Sequence, residues 1–255
     1  MGFLHDGHLS LIREAKRRND IVIVSIFVNP TQFSPTEDLD RYPRDPEGDA
    51  AKAASAGADL LFVPSVSEMY PEGFSTFVQV EGLSSVLEGK FRPTHFRGVS
   101  TVVLKLFNIV QPDAAYFGQK DAQQCAVIRA MVKDLAVPVE IVIIPTMREA
   151  DGLAMSSRNV YLSKEQRAAA PVLHRALHFA QQRIAAGEKD PEAIIHAMRG
   201  IITSAYPAEI DYIEIVGASD LQRRTVLKSG ESVLIPLAAR FGTTRLIDNI
   251  TITIP

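Results

Sequence analysis

A run of eight residues at Ile21–Val28, IVIVSIFV, is apolar and mostly β-branched apart from one serine. Continuous rather than alternating hydrophobicity predicts a strand that is covered on both faces, as in a parallel sheet. Three further apolar segments each follow a stretch with helical spacing: ADLLFVP after DPEGDAAKAASAG, DAAYFG after GVSTVVLKLFNIVQP, and VEIVIIP after DAQQCAVIRAMVKDLAVP. Helices that alternate with strands in this way predict an α/β fold with a parallel sheet.

The order of elements changes near residue 146. Helical sequence occupies about 164–186 and 191–206, and three strand-like segments follow, EIDYIEIV, ESVLIPLAAR and TTRLIDNITITIP. Helices followed by strands are typical of an α+β domain. We therefore predict a larger α/β domain at 1–146 and a smaller α+β domain at 147–255.

Composition excludes several classes of protein. The formal net charge of −3 and the pI near 6.1 provide no basic field for nucleic acid or an anionic membrane. The one cysteine, Cys125, rules out an internal disulfide, fits a reducing compartment, and lies among apolar residues where a buried structural thiol is expected. No apolar stretch is long enough to span a membrane, and no signal peptide is recognisable. The sequence predicts a cytoplasmic protein.

Polar segments follow several of the predicted strands, and in a doubly wound sheet ligands bind beyond the carboxyl ends of the strands. These segments are NPTQF, GQKDAQQ and READGLAMSSRN. The opening HDGH lies at a predicted helix start, where backbone N–H groups and the helix dipole favour an anion. Together they predict a cationic pocket for a polyphosphate, formed by His5, His8, Lys120, Arg158 and two serines.

The usual phosphate-binding loops do not occur, since the chain contains neither G-x-x-x-x-G-K-[ST] nor G-x-G-x-x-G. The pattern H-x-G-H before a helix, with a later loop rich in Ser, Lys and Arg, resembles the nucleotidylyltransferase superfamily that includes class I tRNA synthetases. A metal pair or a simple helix cap are the alternatives for His5 and His8. No third ligand with zinc-like spacing follows, which disfavours the metal.

Five further segments narrow this resemblance: SIFVNPTQF, DLDRYP, RPTHFRGVSTVV, YFGQKDAQQ and READGLAMSSRNVYL. With them the chain resembles the pantoate–β-alanine ligase family over essentially its whole length, down to TTRLIDNI. The resemblance implies a Rossmann-like doubly wound parallel sheet followed by a smaller lid-like domain, in a homodimer. It also implies ATP and Mg²⁺ as cofactors, pantoate and β-alanine as substrates, a pantoyl-adenylate intermediate, and AMP and pyrophosphate as products.

The resemblance further implies roles for individual residues. His8 would be the catalytic acid, and His5, Lys120 and Arg158 would stabilise the charge that develops on the phosphates. Gln32 and Gln124 would bind pantoate, with Gln32 also near β-alanine. The nucleotide site would comprise Met1, Gly2, Phe3, Leu4, His5, Asp6, Gly7, His8, Gly118, Gln119, Lys120, Asp121, Met147, Met155, Ser156, Ser157 and Arg158.

Other interpretations stay open for several of these residues. Ser156 and Ser157 could merely cap a loop, Lys120 and Asp121 could form a surface ion pair, and the two glutamines could be surface amides. Asp49 and Tyr42 border the site that the resemblance implies. His95 is expected to be a structural histidine, and a solvent-facing position is expected for His174, His178 and His196.

Members of the family carry a strand ending in Pro-Thr ahead of the Met-Gly with which this sequence starts. Such a strand lies centrally in the sheet, so we expect a chain without it to be impaired in stability or ATP binding.

Two other functions remain possible from the sequence. One is a nucleotidylyltransferase that moves AMP or CMP onto a phosphorylated acceptor, and the other is a nucleotide-binding regulator without turnover.

Overall fold

The fold is taken from a computed structural model, which describes residues 2–34, 38–205 and 207–255. The chain divides into two compact units, Met1–Gly118 with Gln123–Pro145, and Gln119–Ala122 with Thr146–Pro255. In the described ranges, no helix combines the length and the apolar character needed to cross a membrane.

The first unit alternates helices and short strands. Its elements are α1 (Asp6–Arg18), β1 (Ile23–Ser25), α2 (Pro46–Ser55), β2 (Leu60–Phe62), α3 (Val66–Met69), α4 (Glu88–Phe91), α5 (His95–Val110), β3 (Ala114–Gly118), α6 (Ala122–Asp134) and β4 (Glu140–Ile144). Strands β1 and β2 pair in parallel, and β3 and β4 form a second parallel pair. The α/β class and the parallel pairing predicted from the sequence are confirmed.

Local signals explain where the helices of this unit begin and end. The side chain of Asp45 accepts a hydrogen bond from the Gly48 N–H, Pro46 occupies the first turn of α2, and Gly57 follows the helix with φ +101°. An aspartate cap, a proline just inside the helix and a glycine just beyond it form the expected start and stop of a helix. The predicted helix is therefore confirmed in type and in position.

The interpretation of Ile21–Val28 needs a correction. Val22 and Val24 are buried with Leu9, Ile12 and other residues of the α1–α2 cluster, whereas Ile21 is 67% exposed and Ile23 is 38% exposed. Side chains alternate between the two faces of a strand, so odd and even positions meet different surroundings. The prediction that both faces are covered is wrong for the beginning of this run, since only the face toward α1 and α2 is buried.

The second unit places three helices before an antiparallel sheet. Its elements are α7 (Lys164–Ala169), α8 (Val172–Ala185), α9 (Pro191–Thr203), β5 (Ala208–Ile213), β6 (Val216–Gly217), β7 (Ser232–Phe241) and β8 (Thr244–Thr253). The α+β order is confirmed, with the two-residue strand β6 added. The largest apolar cluster of the unit joins α8 and α9 to β7, with fully buried side chains such as Leu177, Met198 and Phe241.

Strand β7 is the centre of the antiparallel sheet. It pairs with β5 and β6 and, in register from Ser232↔Thr253 to Phe241↔Thr244, with β8. The carbonyl of Pro236 accepts a hydrogen bond from the Glu214 N–H at 3.2 Å, in the gap between β5 and β6. Proline has no backbone N–H to donate, so a central strand can hold it where the pairing on one side is interrupted.

Candidate active site

The histidine pair lies at the start of α1. His5 is the N-cap residue, and its backbone N–H donates to Nδ1 of His8 at 3.3 Å. The two ring centroids are 4.0 Å apart. Because Nδ1 of His8 accepts this bond, a neutral His8 carries its proton on Nε2, and that N–H can serve an anion. The helix start predicted from HDGH is confirmed.

The loop before the histidines is held by α2. Both oxygens of Asp49 accept backbone N–H bonds, from Phe3 at 2.7 Å and from Leu4 at 2.5 Å, and Asp49 is only 1% exposed. Lys52, one turn further along α2, donates to the Leu4 carbonyl at 3.0 Å. Phe3 has φ +54°, which a non-glycine residue rarely adopts. The carboxylate thus fixes a strained loop that leads directly into His5.

Gln32 belongs to a network of amides that follows β1. It ends the 3₁₀ helix Pro30–Gln32, and its Oε1 accepts a bond of 3.3 Å from Asn29 Nδ2. Asn29 is 2% exposed, and its Oδ1 accepts a bond of 2.8 Å from the Tyr70 hydroxyl. Burial raises the pKa of Tyr70 above its usual value, so this hydroxyl stays a donor at neutral pH. With Oε1 engaged, Gln32 presents its NH₂ group as a donor.

The main chain of Gln32 is also fixed. Its carbonyl lies 2.9 Å from Nδ1 of His95 and accepts a bond of 3.3 Å from Nη2 of Arg92. Gly98 on α5 approaches so closely that an added Cβ would lie 2.5 Å from the Thr31 carbonyl oxygen. The structural role expected for His95 is confirmed. Glycine is needed at position 98 because any larger residue would collide with the main chain at Thr31.

The two neighbouring glutamines on α6, Gln123 and Gln124, have different environments. Gln123 is 5% exposed, donates to the Leu83 and Val86 carbonyls at 2.8 Å each, and accepts from the Glu88 N–H at 3.0 Å. Its neighbour Gln124, the predicted pantoate residue, is partly exposed. Cys125 is buried as predicted.

In the second unit, Met147 and Met155 lie opposite each other in a short hairpin. The Met155 N–H donates to the Met147 carbonyl at 3.0 Å, and Arg148 bridges to Ala154. Arg148 forms two bonds to the 2%-exposed carboxylate of Asp248, Nη1 to Oδ2 at 2.6 Å and Nη2 to Oδ1 at 3.0 Å. This bidentate pair fastens the hairpin to β8.

The serine–arginine loop follows the hairpin. Ser156 caps the 3₁₀ helix Ser157–Tyr161 by accepting the Arg158 N–H at 3.2 Å, and Ser157 is 8% exposed. Asn159 donates to Glu149 of the hairpin at 2.9 Å, and Glu149 in turn accepts from Arg167 of α7 at 2.5 Å. The capping interpretation of Ser156 is therefore correct as a description of its structure, and its role toward phosphate stays a prediction.

The segment Gln119–Asp121 forms a 3₁₀ helix directly after Gly118, the last residue of β3. Its backbone is bound to β8, because Asn249 Nδ2 donates to the Gln119 carbonyl at 3.0 Å and to the Lys120 carbonyl at 2.8 Å. The Lys120 and Asp121 side chains are 4.0 Å apart. A partly exposed pair at that distance contributes little stability.

The expectation for His174 needs a correction, whereas His178 and His196 are exposed as predicted. His174 on α8 packs against the hairpin, and a Cβ added to Gly152 would collide with its ring. Burial, with a smaller contribution from Arg148, lowers the pKa of His174 below its usual value. The helical pattern alone did not show that the hairpin covers this face.

The structure thus brings together His5 with His8 and Met147 with Met155, and it binds the Lys120 segment to β8. Met1 lies outside the described residues. Sequence reasoning missed Asn29, which its position directly after a strand in NPTQF could have indicated. It also missed Asp248 and Asn249, which could have been found only from their place in TTRLIDNI, a segment that contributes to the family resemblance.

An α/β unit whose first helix starts on H-x-G-H, followed by an α+β unit with a serine–arginine loop, defines a nucleotide-using enzyme of the nucleotidyl-transfer type. The family model described as pantoate–β-alanine ligase matches residues 1–251. The chain belongs to this family, and ATP-dependent ligation of pantoate with β-alanine, as predicted, is confirmed at the level of the family.

Individual relatives agree with this assignment. The pantothenate synthetase of Herpetosiphon aurantiacus is 59% identical over 98% of this chain and 90% of its own length. That of Moorella thermoacetica is 58% identical over 100% of this chain and 89% of its own. The crystal structure of pantothenate synthetase from Thermus thermophilus has a TM-score of 0.93 at 50% identity and covers 98% of this chain and 90% of that one.

A second solved structure shows ligands in a relative. The pantoate–β-alanine ligase from Francisella tularensis, complexed with β-γ ATP and β-alanine, has a TM-score of 0.78 at 37% identity and covers 98% of this chain and 86% of that one. Among the three functions considered from the sequence, these comparisons favour the ligase over the nucleotidylyltransferase and the regulator.

Proposed function

We propose that this chain condenses pantoate with β-alanine in two half-reactions and uses the residues predicted from its motifs. The pantoate carboxylate attacks the α-phosphorus of ATP, forming pantoyl adenylate and releasing pyrophosphate. The β-alanine amine then attacks the acyl carbon, an amide bond forms, AMP leaves, and the amine loses a proton. The observation that carries the proposal is the histidine pair at the start of α1, held in place from α2 by Asp49.

The nucleotide role of the first segment rests on the chemistry of its donors. The Nε2–H of His8 is fixed as a donor by the bond at Nδ1, and it belongs to the first turn of α1, where the helix dipole favours negative charge. Attack of a carboxylate on a triphosphate gathers anions, so preorganised donors lower the barrier. We assign His8 as the acid, and Gly2 to His8 with Met1 as one part of the ATP-binding set.

The remaining nucleotide residues in the proposal belong to the second unit, apart from Gly118. Gly118–Asp121, Met147 and Met155–Arg158 complete the ATP-binding set, with Lys120 and Arg158 neutralising phosphate charge. Support comes from their fixation: Asn249 holds the Lys120 segment, and Glu149 joins the hairpin to Asn159 beside Arg158.

Magnesium would be held chiefly by the phosphate oxygens of ATP. Within residues 2–34, 38–205 and 207–255, no group of three or more His, Cys, Asp or Glu side chains is placed to hold a metal ion. Mg²⁺ is commonly bound through phosphate oxygens and water with few protein ligands, and it neutralises phosphate charge when bound. We propose that Mg²⁺ would enter bound to ATP and would share with Lys120 and Arg158 the neutralisation of phosphate charge.

Pantoate carries hydroxyls and a carboxylate around an apolar carbon, and neutral amides suit it. The NH₂ group of Gln32 is presented by the bond from Asn29 to its Oε1, and it can donate without adding charge beside the attacking carboxylate. We assign Gln32 and Gln124 to pantoate, and Gln32 also to the β-alanine side of the reaction.

Omission of single reactants tests this function. Pyrophosphate release from ATP and Mg²⁺ should require pantoate, AMP release should require β-alanine as well, and pantoate alone should support ATP–pyrophosphate exchange. A His8→Ala variant should lose about 10²- to 10³-fold in exchange rate, as for loss of one transition-state donor. His196→Ala, at an exposed histidine of α9, is the matched control and should keep the wild-type rate. Full activity of His8→Ala would contradict the acid role, and exchange without pantoate would contradict the function.

The same proposal includes the remaining expectations. We propose a cytoplasmic homodimer, in which 1–146 binds nucleotide and pantoate and 147–255 acts as a smaller lid-like domain. Light scattering coupled to size exclusion should give twice the 28.0 kDa chain mass. A monomer at micromolar concentration would contradict the dimer.

A further inference from the structure

The backbone of the Lys120 segment is bound by one side chain of the last strand. Asn249 is 4% exposed and donates from Nδ2 to both the Gln119 and the Lys120 carbonyls, at 3.0 and 2.8 Å. Its Oδ1 accepts a bond of 3.3 Å from Nε2 of Gln119, whose Nε2 also donates to Thr251 at 3.1 Å. Within the part of the chain that the structure describes, the three contacts of the Asn249 carboxamide go to two consecutive residues, Gln119 and Lys120.

The chemistry of this position is specific for asparagine. The two carbonyls need a double donor, and the Gln119 side chain needs an acceptor, which a carboxamide supplies together. A carboxylate of the same size would place oxygen atoms against both carbonyl oxygens and could donate a hydrogen bond to neither. An alanine would leave the carbonyls without these donors.

We propose that Asn249 is a positioning residue for the ATP half-reaction. By binding both carbonyls it fixes the peptide planes on either side of the Lys120 Cα, and so the direction in which the lysine side chain leaves the main chain. This inference rests on the nucleotide role proposed above for Lys120. Small displacements of a reacting group cost large factors in rate, since a shift of about 1 Å can cost about 10²-fold.

The test compares ATP and pantoate kinetics in Asn249→Ala. The assay is pantoate-dependent ATP–pyrophosphate exchange, with ATP and pantoate varied separately. The kcat/KM for ATP should fall between about tenfold and 10²-fold, within the range expected for a misplaced group. The KM for pantoate should stay within about twofold, because Gln32 and Gln124 belong to the first unit. Unchanged ATP kinetics would overturn the proposal.

A variant with a purely structural defect provides the control. Leu246 lies on the same strand, is 5% exposed, and belongs to the apolar cluster of the second unit. Leu246→Ala should lower Tm and keep the wild-type kcat/KM for ATP well below its melting temperature. An equal kinetic loss in Leu246→Ala would overturn the proposal. Should Asn249→Ala not fold, Asn249→Ser keeps one donor and should show a smaller loss in ATP kinetics, whereas wild-type ATP kinetics in the folded Ser variant would overturn the proposal.

A double-mutant cycle with Lys120→Ala separates this inference from the proposed function. Once the lysine side chain is removed, the Asn249 substitution has little left to misplace, so the loss in the double variant should be well below the product of the single losses. A loss equal to that product would overturn the positioning role. Impaired Lys120→Ala with unimpaired Asn249→Ala would overturn the positioning role alone. Wild-type exchange in Lys120→Ala would overturn the nucleotide role of Lys120, and the positioning role with it.

Discussion

Replacing Asp49 by asparagine should separate activity from stability in the first unit. The buried carboxylate accepts N–H bonds from Phe3 and Leu4 at 2.7 and 2.5 Å. Asparagine keeps one acceptor oxygen and turns an NH₂ group toward the other N–H. A hydrogen bond to a charged group contributes about 1.5–3 kcal/mol, and the N–H left without an acceptor adds to the loss.

The strain at Phe3 works in the opposite direction. A non-glycine residue in the left-handed region costs about 1–2 kcal/mol, and the loop recovers part of this cost when it relaxes. We therefore expect a net loss in the free energy of unfolding of about 1–2 kcal/mol, which for a chain of this size lowers Tm by about 2–8 °C. The exchange rate should fall further, by about 10²-fold, because the relaxed loop moves His5 and His8.

The assays are thermal melting by circular dichroism and pantoate-dependent ATP–pyrophosphate exchange at about 25 °C. Asp59→Asn is the matched control. Asp59 also accepts a backbone N–H, from Val22 at 2.8 Å, but its side chain is 40% exposed and is paired with Lys16. It should show a smaller change in Tm and the wild-type exchange rate. An Asp49→Asn variant with a lowered Tm and an unchanged exchange rate would refute the reasoning, since the loop would then not set the histidines.

Three further predictions follow from contacts described above. Asp248→Ala should lower the free energy of unfolding, measured in urea melts, by about 3 kcal/mol. This is the lower end of the range for breaking a buried ion pair, chosen because Arg148 is 19% exposed, and a change below about 1 kcal/mol would contradict it. The pKa of His174 is lowered in the folded state, so the unfolded chain binds the proton first as the pH falls, and the free energy of unfolding should decrease below the ordinary histidine pKa of about 6.5. His174→Asn should reduce this decrease, and identical pH profiles of stability in the two proteins would contradict the prediction. Gly98→Ala should lower Tm and raise the KM for pantoate, because the added Cβ would lie 2.7 Å from the backbone nitrogen of Gln32 and would displace that residue. An unchanged KM for pantoate would contradict this prediction and show that the 3₁₀ helix adapts.

The sequence predicted most where the signals are local. Asp45 and Pro46 mark the start of α2, and HDGH marks the start of α1, because caps act within one turn. The parallel pairing of strands followed from their alternation with helices. The exposure of Ile21 and Ile23 could not be predicted from the apolar run, since hydrophobicity alone does not say which face receives a helix.

The candidate site divides in the same way. Residue types such as His8, Lys120 and Arg158 were identified from motifs, whereas the groups that hold them were not. Asp49 follows Leu4, whose N–H it binds, by 45 positions, and Asn249 follows Lys120 by 129. Such contacts depend on tertiary packing, and a single sequence carries no period or spacing that reports them.

The distance along the chain between Lys120 and Asn249 has a consequence for synthesis. A ribosome delivers the lysine 129 residues before the asparagine that binds its carbonyl, so a nascent polypeptide passes through a long interval in which this segment lacks the bonds that Asn249 donates. The arrangement around Lys120 is therefore completed only when β8 has been translated and has paired with β7. Proteolytic removal of β8 would take the same bonds away from the folded protein.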